Sequence, residues 1–391
     1  MNPSTVFVLY RALMGLAIGF MATAYAPYCV SIGITLPEIA LINAAFFAAI
    51  VLSELPTGLL ADGRGRLWSM RVGVLVASVG FALYGLVIWE FWGALICEVL
   101  VGIGFAFMSG AEQAWLADEL AARNQPDRLQ ASFAGGAMWF AVASIVSGLI
   151  GAQVSAWNLQ AGMICTAAVC VVKVLYTFLV MRETVGADAA ATELSALRQS
   201  FGVLRAGRGL AWAMVAGGSY GLVLSFNHYW TLFFRAGVGQ SGLGYVWALM
   251  LVSVAAGGWL VQRCPVREGR EHLPIVGTML LIGGGMAVCG LVPGMPLALG
   301  CLALHEVGRG AFQPLLDTYV QRRVESPYRA TYGSLQSLVS RLCFVAIASA
   351  VWAITSGMPV DGRFIPVVWG VQGAVLVAVS LLLALFRSRR S

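Results

Sequence analysis

Charge is scarce in this chain. Asp, Glu, Lys and Arg make up 11% of its 391 residues, while 59% are hydrophobic. A soluble domain carries about 25% charged residues, so a soluble fold of this length is excluded. Histidine is rarer still, with three in the whole chain. There is no Gly-x-x-x-x-Gly-Lys phosphate loop and no nucleophile elbow, so no enzyme activity is expected. The eight cysteines form no disulfide framework. Cys97, Cys165, Cys170, Cys289, Cys301 and Cys343 fall inside apolar runs, where a thiol acts as a small hydrophobe. Cys29 and Cys264 share no metal-ligand spacing, so neither a metal nor a cofactor is expected. The apolar runs do not alternate with polar residues, which excludes a transmembrane barrel. The first apolar stretch has no positive region before it and is too long for a cleavable signal peptide.

What the chain does have is apolar length. Runs of 20 or more residues recur, each enough to cross ~30 Å of hydrocarbon as a helix. Twelve spans are predicted, at about 6–27, 36–61, 69–89, 92–117, 131–153, 157–181, 209–233, 241–262, 273–292, 296–319, 331–355 and 364–386. The arginines support that number. Arg64, Arg66 and Arg71 follow span 2, and Arg123 and Arg128 follow span 4. Arg182, Arg198, Arg205 and Arg208 follow span 6, and Arg263, Arg267 and Arg270 follow span 8. Arg322, Arg323 and Arg329 follow span 10, and Arg387, Arg389 and Arg390 follow span 12. The opposite loops hold only Arg235 and Arg363, while Arg11, Lys173, Arg309 and Arg341 fall within spans. The positive-inside rule then places both termini in the cytoplasm and the chain in the cytoplasmic (inner) membrane. The same distribution accounts for the net charge of +6 without a nucleic-acid partner.

The longest loop, 182–208, reads as a cytoplasmic linker with a weakly amphipathic surface helix at Glu193–Arg208. It divides the chain into two six-span bundles, 1–181 and 209–391. The halves repeat weakly. Thr57–Asp62 matches Gly257–Gln262, Pro126-Asp127-Arg128 matches Pro327-Tyr328-Arg329, and Gly102-Ile103-Gly104 resembles Gly308-Arg309-Gly310. The offset stays near 200 residues, consistent with duplication into parallel repeats.

The loop after span 2 reads Gly58-Leu59-Leu60-Ala61-Asp62-Gly63-Arg64-Gly65-Arg66-Leu67. It resembles the loop motif of the major facilitator superfamily, roughly G-x-L-A-D-R-x-G-R-[RK]. Gly58, Asp62, Gly65 and Arg66 match. Gly63 stands where the family has Arg, and Leu67 replaces the final basic residue. The resemblance covers the whole chain. It implies an all-α membrane protein with twelve transmembrane helices in two pseudo-symmetric six-helix bundles, and spans 1, 4, 7 and 10 lining a central cavity. It also implies that the loop gates the transport cycle, with Asp62 at a helix N-terminus of the other half and Arg66 paired with an acid. Glu54–Gly58 and Ser109–Asp118 resemble a bacterial subset of the superfamily with no common substrate. Many proton-coupled drug exporters carry Arg four residues before the first Gly of the span-4 G-x-G. This chain has Glu98 there.

Ionisable residues inside a membrane are costly and mark function by default. Glu98, Ser109 and Glu112 recur at helical spacing in span 4, which predicts one shared face. Span 10 carries His305, Glu306, Arg309, Gln313 and Asp317. There Arg309, Gln313 and Asp317 share a face and Glu306 is placed to pair with Arg309. Two readings stand for this group: an internal ion-pair network, or a proton-coupling and substrate site. Asn227 and His228 in span 7 are cavity candidates, although aromatics around them suit an interfacial belt. Arg11 and Lys173 are expected to snorkel.

The resulting expectation is a proton-coupled secondary transporter that moves a small organic molecule by alternating access. Met108, Phe105, Trp115, Phe226 and Trp230 lean it towards export of an amphiphilic or drug-like compound. The alternatives are proton-coupled uptake of a charged metabolite and a transporter-like sensor that moves nothing. The expected partners are the small-molecule substrate, protons and the lipid bilayer.

Overall fold

The computed structural model describes residues 2–86, 90–184, 208–224, 226–264, 266, 270–324, 329–356 and 363–386, without the side chains of Asp62, Arg208 and 329–331. The expected surface helix and most of the linker, 185–207, lie outside the described residues. Among those described, every regular element is helical.

The first half opens with α1 (Pro3–Ser31), started by the Asn2 side chain accepting from the Ser4 amide. The next helix, α2 (Leu36–Arg64), begins on a reciprocal cap in which Thr35 and Glu38 satisfy each other's backbone amides. Gly65 ends α2 at φ +105°, a conformation that suits glycine, and α3 (Arg66–Leu86) starts at the next residue. Then come α4 (Phe91–Met108), α5 (Ala111–Ala121), α6 (Leu129–Trp157) and α7 (Leu159–Leu179). The second half holds α8 (Arg208–Ser219), α9 (Gly221–Leu224), α10 (Phe226–Arg263), α11 (His272–Cys289), α12 (Met295–Gln321), α13 (Arg329–Thr355) and α14 (Phe364–Leu385).

Ten stretches of the described residues are long and apolar enough to cross a membrane. One of them, Gly209–Arg263, runs 55 residues and contains both expected spans 7 and 8, separated at Gly239 with φ +73°. Expected span 10 is the 27-residue helix α12. Its His305, Glu306 and Arg309 lower its hydropathy and keep it out of that set.

One expectation about local structure fails. Span 4 is not one helix. Ser109 is extended (ψ 127°) and Gly110 is left-handed (φ 75°), so α4 and α5 are separate segments. Glu98 and Glu112 therefore share no continuous helical face. A Ser-Gly pair with extended and left-handed backbone cannot carry the hydrogen-bond ladder through.

Small residues set the helix crossings. A side-chain carbon on Gly102 would lie 2.6 Å from the Phe46 carbonyl oxygen of α2, and one on Gly104 2.6 Å from the Gly73 carbonyl oxygen of α3. In the second half Gly310 meets the Val254 backbone of α10, and Gly308 meets Ile282 and the Thr278 carbonyl of α11. The two G-x-G pairs thus do the same job, letting one helix lie closely between two neighbours.

The chain divides into two compact units: Met1–Ala191 with Phe234–Ala248, and Thr192–Phe233 with Leu249–Ser391. Unit 1 has its core around Phe7, Tyr10, Met70, Phe81, Trp115 and Leu116. Unit 2 has its core around Trp212, Phe312, Leu316, Tyr319 and Tyr332.

Candidate functional site

Unit 1 holds its charges in two places. On α1, Arg11 Nη1 donates to Glu112 Oε1 of α5 at 2.7 Å, and the guanidinium lies over the Phe140 ring. The side chains are 27% and 13% exposed, so solvent reaches the pair. Arg11 does not snorkel; the break before Ala111 starts a new helix whose first turn carries its partner, Glu112.

The second place is Glu98 on α4. It is buried, and the contacts around it are tyrosines. Tyr84 Oη lies 3.0 Å from the Ala94 carbonyl and 3.4 Å from Glu98 Oε1. Tyr25, which accepts from Asn43, hydrogen-bonds the same carboxyl. The two span-4 glutamates thus occupy separate settings, one salt-bridged and one sealed.

Lys173 departs furthest from expectation. Its side chain is buried at 2% exposure and does not reach an interface. Nζ sits 4.1 Å from the Tyr10 ring centroid and within 3.2 Å of Met14 Sδ. An outer position in the helix order did not place it at the lipid surface, because α7 packs this face on α1 and α3.

Unit 2 builds a tighter polar cluster. Arg309 Nη1 donates to Asn227 Oδ1 at 2.7 Å and to Glu306 Oε1 at 3.0 Å. Asn227 comes from α10 and the other two from α12. The Tyr220 hydroxyl also hydrogen-bonds Arg309. Glu306 is fully buried, whereas Arg309 is 21% exposed. His305 beside them hydrogen-bonds the Ile282 carbonyl through Nδ1 and stacks on Phe226. Three buried polar atoms of this cluster have no hydrogen-bond partner among the described residues: Glu306 Oε2, Arg309 Nε and His305 Nε2.

The expected face of Arg309, Gln313 and Asp317 is only partly realised. Gln313 Nε2 donates to Asp317 Oδ1 on the exposed side of α12, while Arg309 turns to Glu306 and Asn227. His228 packs on the Phe344 ring, and Ser109 at the α4–α5 break donates to Glu54. The residues behind the amphiphilic-cargo expectation are mostly core. Met108, Trp115, Phe226 and Trp230 are 5%, 2%, 0% and 2% exposed.

At the loop after α2, the Asp62 side chain lies outside the described residues. Arg66 Nε lies 3.8 Å from Asp118 Oδ2. The sequence reading missed a second anchor. Glu183 Oε1 accepts from the Arg66 amide at 2.7 Å and from the Leu67 amide at 3.2 Å, capping α3 where the helix dipole favours an anion. Gly65 makes room for it, since a side-chain carbon there would lie 2.7 Å from Glu183 Oε2. Glu119 holds Thr184 through its hydroxyl and amide, and Trp115 Nε1 donates to the Arg182 carbonyl. Arg-Glu-Thr just after an apolar span was the available signal.

The corresponding place in unit 2 carries a charge cluster of opposite arrangement. Glu271, just before α11, pairs with Arg322 at 3.0 Å and Arg323 at 3.4 Å beyond the end of α12. In unit 1 the base opens α3 and the acid lies in the last turns of α5; in unit 2 the acid precedes α11 and the bases follow α12. Burial alone would raise the Glu271 carboxyl. A backbone hydrogen bond and the two arginines outweigh it and hold the group below the usual carboxylate range. A carboxyl depressed in the folded state stabilises above its unfolded value of about pH 4.3 and loses that contribution as pH falls through the folded value. Glu271→Gln is expected to lower stability by about 1–2 kcal/mol at neutral pH, discounted for the solvent around both arginines. The difference in Tm from wild type should shrink in a titration below about pH 4.

A family model described as the Major Facilitator Superfamily matches residues 7–348. The chain belongs to the major facilitator superfamily. Among solved structures, the nucleoside transporter NupG is similar with a TM-score of 0.80 and 12% identity, over 100% of both chains. A POT family transporter in complex with a thioalcohol-conjugated peptide is similar at 0.75 and 13%, covering 98% of this chain and 95% of that one. A bacterial homolog of the human lysosomal transporter Spinster is similar at 0.67 and 15%, covering 98% and 94%. At these identities the likeness is one of fold. No curated protein sequence matches the chain. The protein is thus a multi-pass helical membrane transporter with the fold of that superfamily.

Proposed function

We propose that this protein is a proton-coupled secondary transporter of a small charged or zwitterionic organic solute. It lies in the cytoplasmic membrane with both termini in the cytoplasm, as two six-span bundles joined by the 182–208 linker, and works by alternating access. The observation that carries this reading is the Asn227–Arg309–Glu306 cluster, in which Arg309 Nε and Glu306 Oε2 are buried without partners among the described residues. Buried polar atoms in folded proteins are nearly all paired. A donor and an acceptor left open side by side suit a solute that brings both an anionic and a donor group. Besides Asn227, His228 on α10 and Gln313 and Asp317 further along α12 are polar candidates for solute contact. The turn around Gly58, Asp62, Gly65 and Arg66 serves the conformational cycle.

Glu112 is the coupling carboxylate in this reading. It exchanges between the Arg11 pair and a protonated state. Glu98 is a structural acid. The Tyr84 and Tyr25 hydroxyls hold its carboxyl within unit 1. Glu98→Gln is therefore expected to keep wild-type stability within about 0.5 kcal/mol and to keep coupled flux. Loss of coupling in that variant, measured beside wild type in liposomes, would reassign the proton site to Glu98.

The test is flux. The protein is reconstituted in liposomes with a trapped pH dye, a pH gradient is imposed, and solutes are added one at a time. The panel includes amino acids, short peptides, nucleosides and amphiphilic cations; peptides and nucleosides are named for the structural neighbours. Proton movement driven by a charged or zwitterionic solute supports the proposal, and its sign assigns the direction. Movement with amphiphilic cations alone supports the export reading. Silence across the panel favours the sensor.

A further inference from the structure

Of the 24 basic residues in this chain, 23 are arginine, and the only lysine is Lys173. That single lysine is also the buried cation of unit 1, on α7 at 2% exposure. Its Nζ faces the Tyr10 ring at 4.1 Å, Met14 Sδ at 3.2 Å and Met108 Sδ at 3.8 Å. Thioethers are weak acceptors, and one aromatic face is a partial substitute for an anion. An ammonium there has given up its water for little, whereas a free-base amine fits without that cost.

The neighbours matter for any proton at this position. From α1 they are Tyr10 and Arg11, from α5 Glu112, and from α7 itself Cys170. On α3, Arg71 is engaged with the Thr177, Phe178 and Met181 carbonyls further along α7, and Ser78 with the Cys170 carbonyl. The helix α6 has no ionisable side chain. Lys173 therefore stands within electrostatic reach of the Arg11–Glu112 pair and of no other carboxylate on these helices. Arginine does not release its proton in proteins; lysine does when buried. In a chain that uses arginine at every other cationic position, lysine stands where proton release is available.

We propose that Lys173 is a proton-carrying group of the transport cycle. Its protonated form replaces Arg11 as the counter-cation of Glu112 at one stage of that cycle. The proton comes from water reaching the partly exposed Arg11–Glu112 pair and binds the amine lone pair. Arg11 stays charged and is released to meet an anionic group of the solute. This rests on the reading of Glu112 as the coupling carboxylate.

A chain with one lysine gives one side-chain amine signal. Full-length protein is produced with lysine labelled at Cε and Nζ, placed in nanodiscs and followed by NMR between about pH 6 and pH 9, where an exposed lysine stays ammonium. The expected signal is ammonium at the low end and free base at the high end. In Glu112→Gln the ammonium should give way at a lower pH, because its counter-anion is gone. An ammonium signal throughout, or identical titration in both proteins, overturns the proposal. As a second measurement, Lys173→Met should keep the wild-type Tm and Lys173→Arg should lower it; equal Tm in both variants also overturns it. No transported solute is needed. A lysine that does not titrate sinks this proposal and leaves the transport reading standing, whereas a silent flux screen sinks the transport reading, on which this one rests, whatever the lysine does.

Discussion

Arg309→Met is expected to cost about 3–5 kcal/mol of stability, because it strands a buried carboxylate. Glu306 is fully buried, and the Arg309 guanidinium is its partner at 3.0 Å. Methionine keeps much of the arginine stem but offers no charge and no donor. Asn227 Oδ1 loses its 2.7 Å donor in the same change. The double variant Arg309→Met with Glu306→Leu should recover most of that loss, since removing both partners of a buried pair is often neutral. Thermal unfolding in detergent reads both proteins without a substrate. If the pair is only structural, the double variant transports as wild type does. If it binds solute, the double variant folds and moves nothing, with kcat/KM down at least ~100-fold. Recovery of fold with loss of flux is the expected result.

Glu112→Gln should abolish proton-driven accumulation, by at least ~100-fold, while solute exchange at equal pH continues. Glutamine keeps the size of the side chain and an acceptor oxygen for Arg11, so the 2.7 Å contact survives in neutral form. The stability cost is about 1 kcal/mol, because Arg11 is partly exposed and can be hydrated. A variant that still accumulates solute against a gradient would remove Glu112 from the proton path. Asp62→Asn differs in kind. It addresses the turn after α2 and is expected to slow cycling without changing solute affinity.

The two ends of the chain's polar machinery were unequally legible. Arg66 and Glu112 stood out because each is a charge in or close to a motif. Glu183 and Glu271 did not, because each lies in an ordinary polar loop and gains its role from a partner 117 or 51 residues away. The same holds for Arg11 with Glu112, 101 residues apart, and Arg309 with Asn227, 82 apart. Lys173 was misplaced for a related reason. Helix order says which spans are outer ones, but the rotation of α7 about its axis decides whether residue 173 meets lipid or Tyr10.

The sequence by itself determined that this is a helical membrane protein, where its helices cross, which loops carry arginine and to which superfamily it belongs. Those properties follow from local hydropathy, charge position and a short turn motif, and a bilayer enforces them residue by residue. Only the tertiary structure decided how the buried charges are spent. It broke span 4 at Ser109 and Gly110, which separated Glu98 from Glu112. It gave Glu112 to Arg11 and Glu306 to Arg309, and it put Met108, Trp115, Phe226 and Trp230 into the core. A charge in a low-dielectric interior takes its meaning from the groups within a few ångströms of it, and helix packing alone sets those neighbours.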